Sequence, residues 1–264
     1  MSLSILSSRK WGLAFRVFPF VVLVVLFKFG AHYYELEFLS LSPLMGALIS
    51  ANVFLIGFLI SGVLSDYKES EKLPGEMACS LEVLVDESII IFANKKSPVP
   101  MELVNHVRLL TLSIIDWFHR KEKTGDLLSK ISALNSFFLE LELLTQANFI
   151  ARLKHEQNTL RRIITRIHTI RETEFNPAGY AIAEILSTIL CGGLIFTNIN
   201  PYYESVFFVA FVSFVLIYMV LLIKEIDNPF SHYDDKKLTA DISLKPLQDF
   251  QKRLAQQIAV DPVH

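Results

Sequence analysis

An uncharged run from Leu44 to Leu64 is the feature that most constrains this sequence. It extends over about 20 residues, the length that an α-helix needs to cross roughly 30 Å of hydrocarbon. Ser42 and Pro43 precede the run and favour a helix start, because the hydroxyl can cap N–H groups and proline suits a first turn. Charged side chains follow from Asp66 onward. The run therefore predicts a membrane-spanning helix that continues into water.

Three further apolar runs have the composition of membrane spans, at about residues 11–31, 179–199 and 205–223. Hydrophobic residues make up 52% of the 264-residue chain, more than is usual for a soluble domain. A cleaved signal peptide is the alternative for the first run, but no small-residue cleavage site follows it. Either Arg16 or Lys28 could extend from this span to a membrane interface.

Basic residues are distributed unequally among the segments between these spans. The segment that follows the first span contains Glu35 and Glu37 but neither Lys nor Arg, and the segment between the last two spans also lacks both. The long segment between the second and third spans is rich in both. Because cytoplasmic segments carry the excess of basic residues, this pattern predicts that both termini and the long insert are cytoplasmic. The pattern suits a bacterial inner membrane.

The sequence thus predicts an all-α integral membrane protein with four transmembrane helices and a large cytoplasmic helical insert. Within the insert, apolar residues recur at helical spacing over 76–95 and 101–121, Gly125 is the expected break, and long helices are expected after it. A short amphipathic helix is expected in the tail. The predicted domains are residues 1–74 with spans at about 11–31 and 43–64, 75–176, 177–224 and 225–264.

Candidate functional residues lie on one side of the second span. Ser50 and Ser61 belong to a row of small residues at helical spacing, and Phe54 and Phe58 lie four residues apart beside it. In an oligomer these four side chains could line a narrow path, where apolar rings gate by dewetting. The alternatives are that the phenylalanines face lipid or the bundle core and that Ser50, Gly57 and Ser61 form a helix-packing face.

Two polar side chains fall within the predicted spans. The amide of Asn52 must find a partner in the bundle or in a wet cavity. Glu184 has two interpretations, an ion or proton site within the membrane, or a residue near the cytoplasmic interface that pairs with a basic side chain such as Arg171. Both residues are candidate polar contacts of a cation or proton pathway.

Other classes of function find little support in the sequence. The seven histidines are scattered, and no metalloprotease, phosphate-loop or nucleophile-elbow motif is present, so we do not expect an enzyme. The formal net charge of −2 gives no argument for nucleic acid. Cys79 and Cys191 fall in regions expected in the cytoplasm and the membrane, so neither a disulfide framework nor a zinc site is expected.

The chain resembles the bestrophins, a family of anion channels, and more closely the bacterial bestrophin-like membrane proteins. Three features carry the resemblance besides the order of spans and insert. The sequence FLIGF at 54–58 is similar to the F-x-x-G-F that lines the bestrophin neck. EKLP at 71–74 is similar to the E-x-L-P that follows that helix, and NPFS at 228–231 to the N-P-F-G after the last span.

The resemblance implies a homo-oligomer, expected to be a pentamer, that conducts small chloride-like anions through a central pore. It implies no cofactor apart from calcium, which animal bestrophins hold with an acidic cluster after the last span. Asp227, Asp234 and Asp235 could bind a cation here, but Lys236 and Lys237 follow at once, so calcium is doubtful. A non-conducting membrane sensor or scaffold and a cation or proton channel remain the alternative functions.

Overall fold

The computed structural model describes residues 11–173, 177–227, 229–230 and 242–260. It is almost entirely helical, which confirms the predicted fold class. The helices of this part of the chain are α1 Gly12–Tyr33, α2 Pro43–Lys95, α3 Val99–Phe118, α4 Thr124–Ser132, α5 Leu134–Glu142, α6 Ala147–Glu172, α7 Pro177–Ile195, α8 Tyr202–Asp227 and α9 Lys245–Val260. Two short strands, β1 Leu39–Ser40 and β2 Thr197–Asn198, pair in parallel.

One compact unit contains α1, the first part of α2, α7 and α8. Four helices of the described chain are long and apolar enough to cross a membrane. Their apolar segments lie in α1, the first part of α2, α7 and α8. The helices pack through aliphatic side chains, since burial of apolar faces and close van der Waals contact hold such bundles together. The buried set includes Ile56, Leu59 and Val63 of α2, Leu190 and Leu194 of α7, and Val209 and Leu216 of α8.

The second compact unit contains the rest of α2, together with α3 to α6 and α9. Its helices bury one apolar face each, as expected for amphipathic helices around a shared core. Helix α9 packs on α3 and buries Leu247, Phe250 and Leu254, and its Arg253 donates to Glu82 of α2 at 3.0 Å. The predicted amphipathic helix of the tail is therefore present and docked within this unit.

Helix boundaries differ from the sequence prediction at two places. α2 continues through Pro74, where the sequence placed a domain boundary, because Leu73, Met77 and Leu81 keep burying one face on both sides of the proline. That burial offsets the lost hydrogen bond, which costs about 3 kcal/mol. Gly125 lies inside α4 and is not the break. The chain turns earlier, after Phe118, where Arg120 adopts φ 57°.

The long helices expected after Gly125 are interrupted twice. α4 ends at Ser132 and α5 ends at Glu142, so only α6 is long. Neither interruption contains a glycine or proline. At the second interruption, the N–H groups of Leu144 and Thr145 both donate to the carbonyl of Leu141. Neither end is therefore set by a glycine or a proline.

Candidate functional site

The aromatic pair of α2 is strongly exposed. Phe54 is 77% exposed and Phe58 is 71% exposed, although both lie in the middle of an apolar helix. The helix begins at Pro43, and the N–H of Met45 approaches the Ser42 hydroxyl at 3.4 Å, as expected for the predicted cap. Side chains four residues apart lie on one face of a helix. The two rings therefore form one exposed row.

The opposite face of the same stretch is packed against the rest of the bundle. Asn52, Ile56, Leu59 and Val63 are each no more than 2% exposed. These residues lie about half a turn away from Phe54, since each residue advances the helix by about 100°. Packing within one chain therefore fixes which face of α2 turns outward, and Phe54 lies on that face. The alternative in which the phenylalanines belong to the bundle core is wrong for the single chain.

The small residues beside the aromatic row are also uncovered. Ser50 and Ser61 are exposed, and the Ser50 hydroxyl donates to the carbonyl of Gly46 at 2.9 Å. A Cβ added at Gly46 or Gly57 would meet no atom within 4 Å. Helix packing within one chain therefore does not use this face. It is open to acyl chains or to another copy of the chain.

Asn52 finds a partner inside the bundle. It is 2% exposed, and its Nδ2 donates to the Ser187 hydroxyl of α7 at 3.1 Å. Among the described residues its Oδ1 has no hydrogen-bond partner. A buried amide in hydrocarbon needs such a contact, because an unpaired polar group there is costly. Asn52 therefore lies on the face of α2 that contacts α7, opposite to the face that carries Phe54.

Glu184 pairs with Lys224 and not with Arg171, which was the partner expected from the sequence. The Lys224 Nζ lies 2.5 Å from Glu184 Oε1, so the pair joins α7 to α8. Arg171 instead donates to the carbonyl oxygens of Trp117 and Phe118 at the end of α3, at 3.2 and 2.8 Å. These carbonyls lack partners within their own helix, which makes them good acceptors for a guanidinium.

Lys28 does not use the possibility of extending to a membrane interface, because its side chain is fully buried within the bundle. Its Nζ donates to Glu37 Oε1 and to the Thr197 carbonyl, each at 2.5 Å. The second oxygen of Glu37 lies 3.1 Å from His32 Nδ1, and the His32 ring stacks on Tyr202 at 3.8 Å between centroids. A buried lysine requires a counter-charge, and a glutamate nine residues away supplies it.

The sequence contained the signal for this contact. A lysine inside an apolar span and a glutamate in the following connection are the pattern of a paired intramembrane charge. Burial alone would raise the pKa of Glu37. Hydrogen bonds and positive charge from Lys28 and His32 outweigh that effect, so its pKa lies below the ordinary carboxyl value. We name the group of Lys28, Glu37 and the Thr197 carbonyl the Lys28 clasp.

Only one of the three aspartates proposed for a cation lies in the described part of the chain. Asp227 Oδ1 accepts a hydrogen bond from the Tyr180 hydroxyl at 2.7 Å. Asp234 and Asp235 lie outside the described residues, as do Asn228 and Ser231 of the NPFS motif. Across the described ranges, no three His, Cys, Asp or Glu side chains come together as a metal site would require. The geometry therefore supplies no argument for a calcium site.

Comparison with solved structures reveals the fold. A variant of a bacterial bestrophin homologue from Klebsiella pneumoniae superposes with a TM-score of 0.76 at 16% identity, covering 92% of this chain and 98% of that one. A second variant of the same protein gives 0.75 at 17% identity, with 94% and 98% covered. A structure described as a membrane protein gives 0.75 at 16% identity, also with 94% and 98% covered.

No family model and no curated relative matches the sequence. At such low identity the likeness to solved structures establishes the fold alone. The chain has a bestrophin-like fold over nearly its whole length, as the resemblance of its motifs implied.

Proposed function

We propose that this protein is an oligomeric ion channel that conducts small, chloride-like anions through a pore on the axis of the assembly. The observation that carries this proposal is the exposed row of Phe54 and Phe58, which packing within one chain turns away from the bundle. Several copies arranged with this face inward would surround a narrow apolar constriction. By resemblance to the bestrophins, the assembly would be a pentamer.

The mechanism follows from the chemistry of the row. Aromatic rings carry positive edges and negative faces, so ring edges directed at the axis favour an anion over a cation. A constriction lined by apolar side chains excludes water when it is narrow, which closes the path by dewetting. Ser61 flanks the rings with a hydroxyl that can donate to the ion, whereas the Ser50 hydroxyl would first have to release the Gly46 carbonyl. The protein needs no cofactor for this passive transport.

The polar groups of the spans support an anion channel over a cation or proton pathway. Glu184 is paired with Lys224, and Asn52 is bonded to Ser187 on the packed side of α2. Rings of carbonyl or carboxylate oxygens directed at the axis are the usual lining of a cation pathway. The exposed row offers aromatic edges and hydroxyls instead. The scaffold alternative differs from both kinds of channel, because a scaffold would carry no ionic current.

The proposal also assigns the parts of the chain to the membrane and the cytoplasm. Residues 1–74 and 177–224 would form the membrane part, 75–176 the cytoplasmic insert and 225–264 a cytoplasmic tail. Both termini would lie in the cytoplasm of a bacterial cell, with the pore in its inner membrane. The distribution of Lys and Arg is the support for this orientation.

Purified protein in planar bilayers tests the proposal. In a potassium chloride gradient, the reversal potential should move toward the chloride equilibrium potential. Phe54→Ala with Phe58→Ala should raise the conductance or relax the selectivity, because the constriction widens. The matched control is Phe27→Ala, which removes a ring that is 59% exposed on α1, and it should leave the current unchanged. A potassium-directed reversal potential would favour the cation channel, and silence would favour the scaffold.

A further inference from the structure

We propose that an exposed apolar patch in the second compact unit is a surface through which neighbouring copies of the chain contact each other. We name it the end patch, and its members are Ile89, Ile90, Leu139 and Leu143. The inference rests on the proposed oligomeric channel, and it adds a contact that lies outside the predicted spans. The occupant of the patch is a second copy of this chain.

Most of the exposed large aliphatic side chains of this unit lie in the end patch. Among the described residues of the unit, five such side chains are exposed, and four of them belong to the patch. Leu139 is 69% exposed and Leu143 is 87% exposed. The fifth, Leu109, lies on α3. Exposed apolar residues that occur singly are ordinary, whereas a contiguous group of them marks an interaction surface.

The four side chains come from two edges that meet at one cleft. Ile90, near the end of α2, and Leu143, directly after α5, both line a cleft of about 390 Å³. Ile89 is adjacent to Ile90, and Leu139 lies four residues before Leu143 on the same helical face. The end patch is therefore continuous, with an α2 edge that carries the isoleucines and an α5 edge that carries the leucines.

The two edges carry charges of opposite sign. Lys95 and Lys96 lie at the end of the α2 edge, whereas Glu140 and Glu142 flank the leucines of the α5 edge. All four are exposed, and within the described part of the chain none of them forms an ion pair. Asp86 is also exposed, one turn before the isoleucines, so the positive part of the α2 edge is limited to its lysine end.

A second copy of the chain supplies the partners that this patch lacks. When the α5 edge of one copy lies on the α2 edge of the next, the leucines cover the isoleucines and the glutamates approach the lysines. This contact joins two different surfaces head to tail, so it can repeat around a ring, as a pore on an axis requires. Burial of the aliphatic side chains supplies the favourable free energy, and the opposite charges set the orientation.

Disulfide trapping tests the contact directly. Leu143→Cys chains and Ile90→Cys chains, both without Cys79 and Cys191 and each with its own affinity tag, are co-expressed and oxidised in membranes. Each chain then holds one cysteine, so a disulfide can only join two copies, and it forms only where their Cα atoms come within about 7 Å. We expect a covalent dimer that carries both tags. The matched control pairs Leu143→Cys with Leu109→Cys, which is exposed outside the patch and should give no such dimer.

Dissociation of charged variants provides a second measurement. Leu143→Asp alters a side chain that is exposed in the single chain, so the fold should persist while the contact between copies loses apolar burial and gains a charge. In a dilution series followed by native mass spectrometry, its dissociation midpoint should rise to at least about tenfold higher protein concentration. Leu109→Asp should leave the midpoint unchanged. Glu142→Lys should also weaken the assembly, and Lys95→Glu added to it should restore the assembly, because the two charges are exchanged.

Either measurement can overturn the inference. Absence of the mixed-tag dimer from an intact oligomer would do so, and so would an unchanged midpoint for Leu143→Asp. The channel proposal would survive both results, because its pore depends on the aromatic row of Phe54 and Phe58. A wild-type protein that remains a single subunit at every concentration would overturn the contact and the channel together.

Discussion

Replacement of Lys28 by methionine should destabilise the membrane bundle more than any other single change to a charged residue of its spans. Lys28 is fully buried, and the Glu37 side chain is only 9% exposed. The substitution removes both contacts of the Nζ and leaves the Glu37 carboxylate with His32 as its remaining contact among the described residues. Methionine has a similar length and no charge, so the change adds little strain.

The expected loss follows from this geometry. Removal of one partner from a buried ion pair typically costs about 3–5 kcal/mol, because the other charge stays desolvated. Since His32 still contacts Glu37, we expect the lower end, about 3 kcal/mol. At about 2–4 °C per kcal/mol for a chain of this size, the unfolding midpoint in detergent should fall by roughly 10 °C.

The double variant Lys28→Met, Glu37→Gln provides the decisive comparison. With both charges gone, no buried charge is left without a partner, so the double variant should recover most of the loss. Thermal unfolding followed by tryptophan fluorescence or circular dichroism measures the four species of the cycle. The matched control is Arg16→Met on the same helix, which should shift the midpoint by no more than about 1 °C because exposed charges contribute little.

Two results would refute this reasoning. A Lys28→Met variant as stable as the wild type would mean that the lysine is not buried against Glu37. A double variant as unstable as the sum of the two single variants would mean that the residues act independently.

Three further predictions concern other contacts. The Lys28 clasp should weaken in acid, because folding lowers the pKa of Glu37. The stability that ionised Glu37 contributes is complete above the ordinary carboxyl pKa and is lost as the pH falls through the lowered value. At a pH below about 4, the unfolding midpoint of the wild type should therefore decrease more than that of the Glu37→Gln variant. Arg171→Met should cost about 2 kcal/mol in thermal unfolding, since the guanidinium binds two carbonyls and lies 4.6 Å from the Trp117 ring centroid. Asn52→Leu should change stability by about 1 kcal/mol and leave the reversal potential unaltered, because Asn52 contacts Ser187 away from the aromatic row; an altered potential would place it in the pathway.

The spans could be predicted from the sequence because their signal is local. An uncharged run of the right length has few alternatives to a membrane helix, and Leu44–Leu64 supplied it directly. The motif FLIGF at 54–58 also carried information, since Gly57 and the two phenylalanines fall on a face that the structure leaves open. The bestrophin-like fold was predicted from a few such stretches and is confirmed by the superpositions.

Long-range partners could not be predicted in the same way. Lys224 was not recognised as the partner of Glu184, because the contact depends on how α7 and α8 pack and the two residues are far apart in sequence. Nor did the sequence indicate that one helix runs through Pro74, since the burial of Met77 and Leu81 depends on tertiary packing. Propensity describes one segment at a time, whereas these features depend on neighbours supplied by the fold.

Accessibility of position 54 to water tests the central claim most directly. A Phe54→Cys variant in a background without Cys79 and Cys191 should react with a charged, membrane-impermeant thiol reagent during recording, and the current should fall as the reagent fills the constriction. Phe27→Cys on α1, whose native ring is 59% exposed, should not respond, because its side chain would face lipid. If Phe54→Cys stays unreactive while the channel conducts, the aromatic row faces acyl chains and the proposed pore is contradicted.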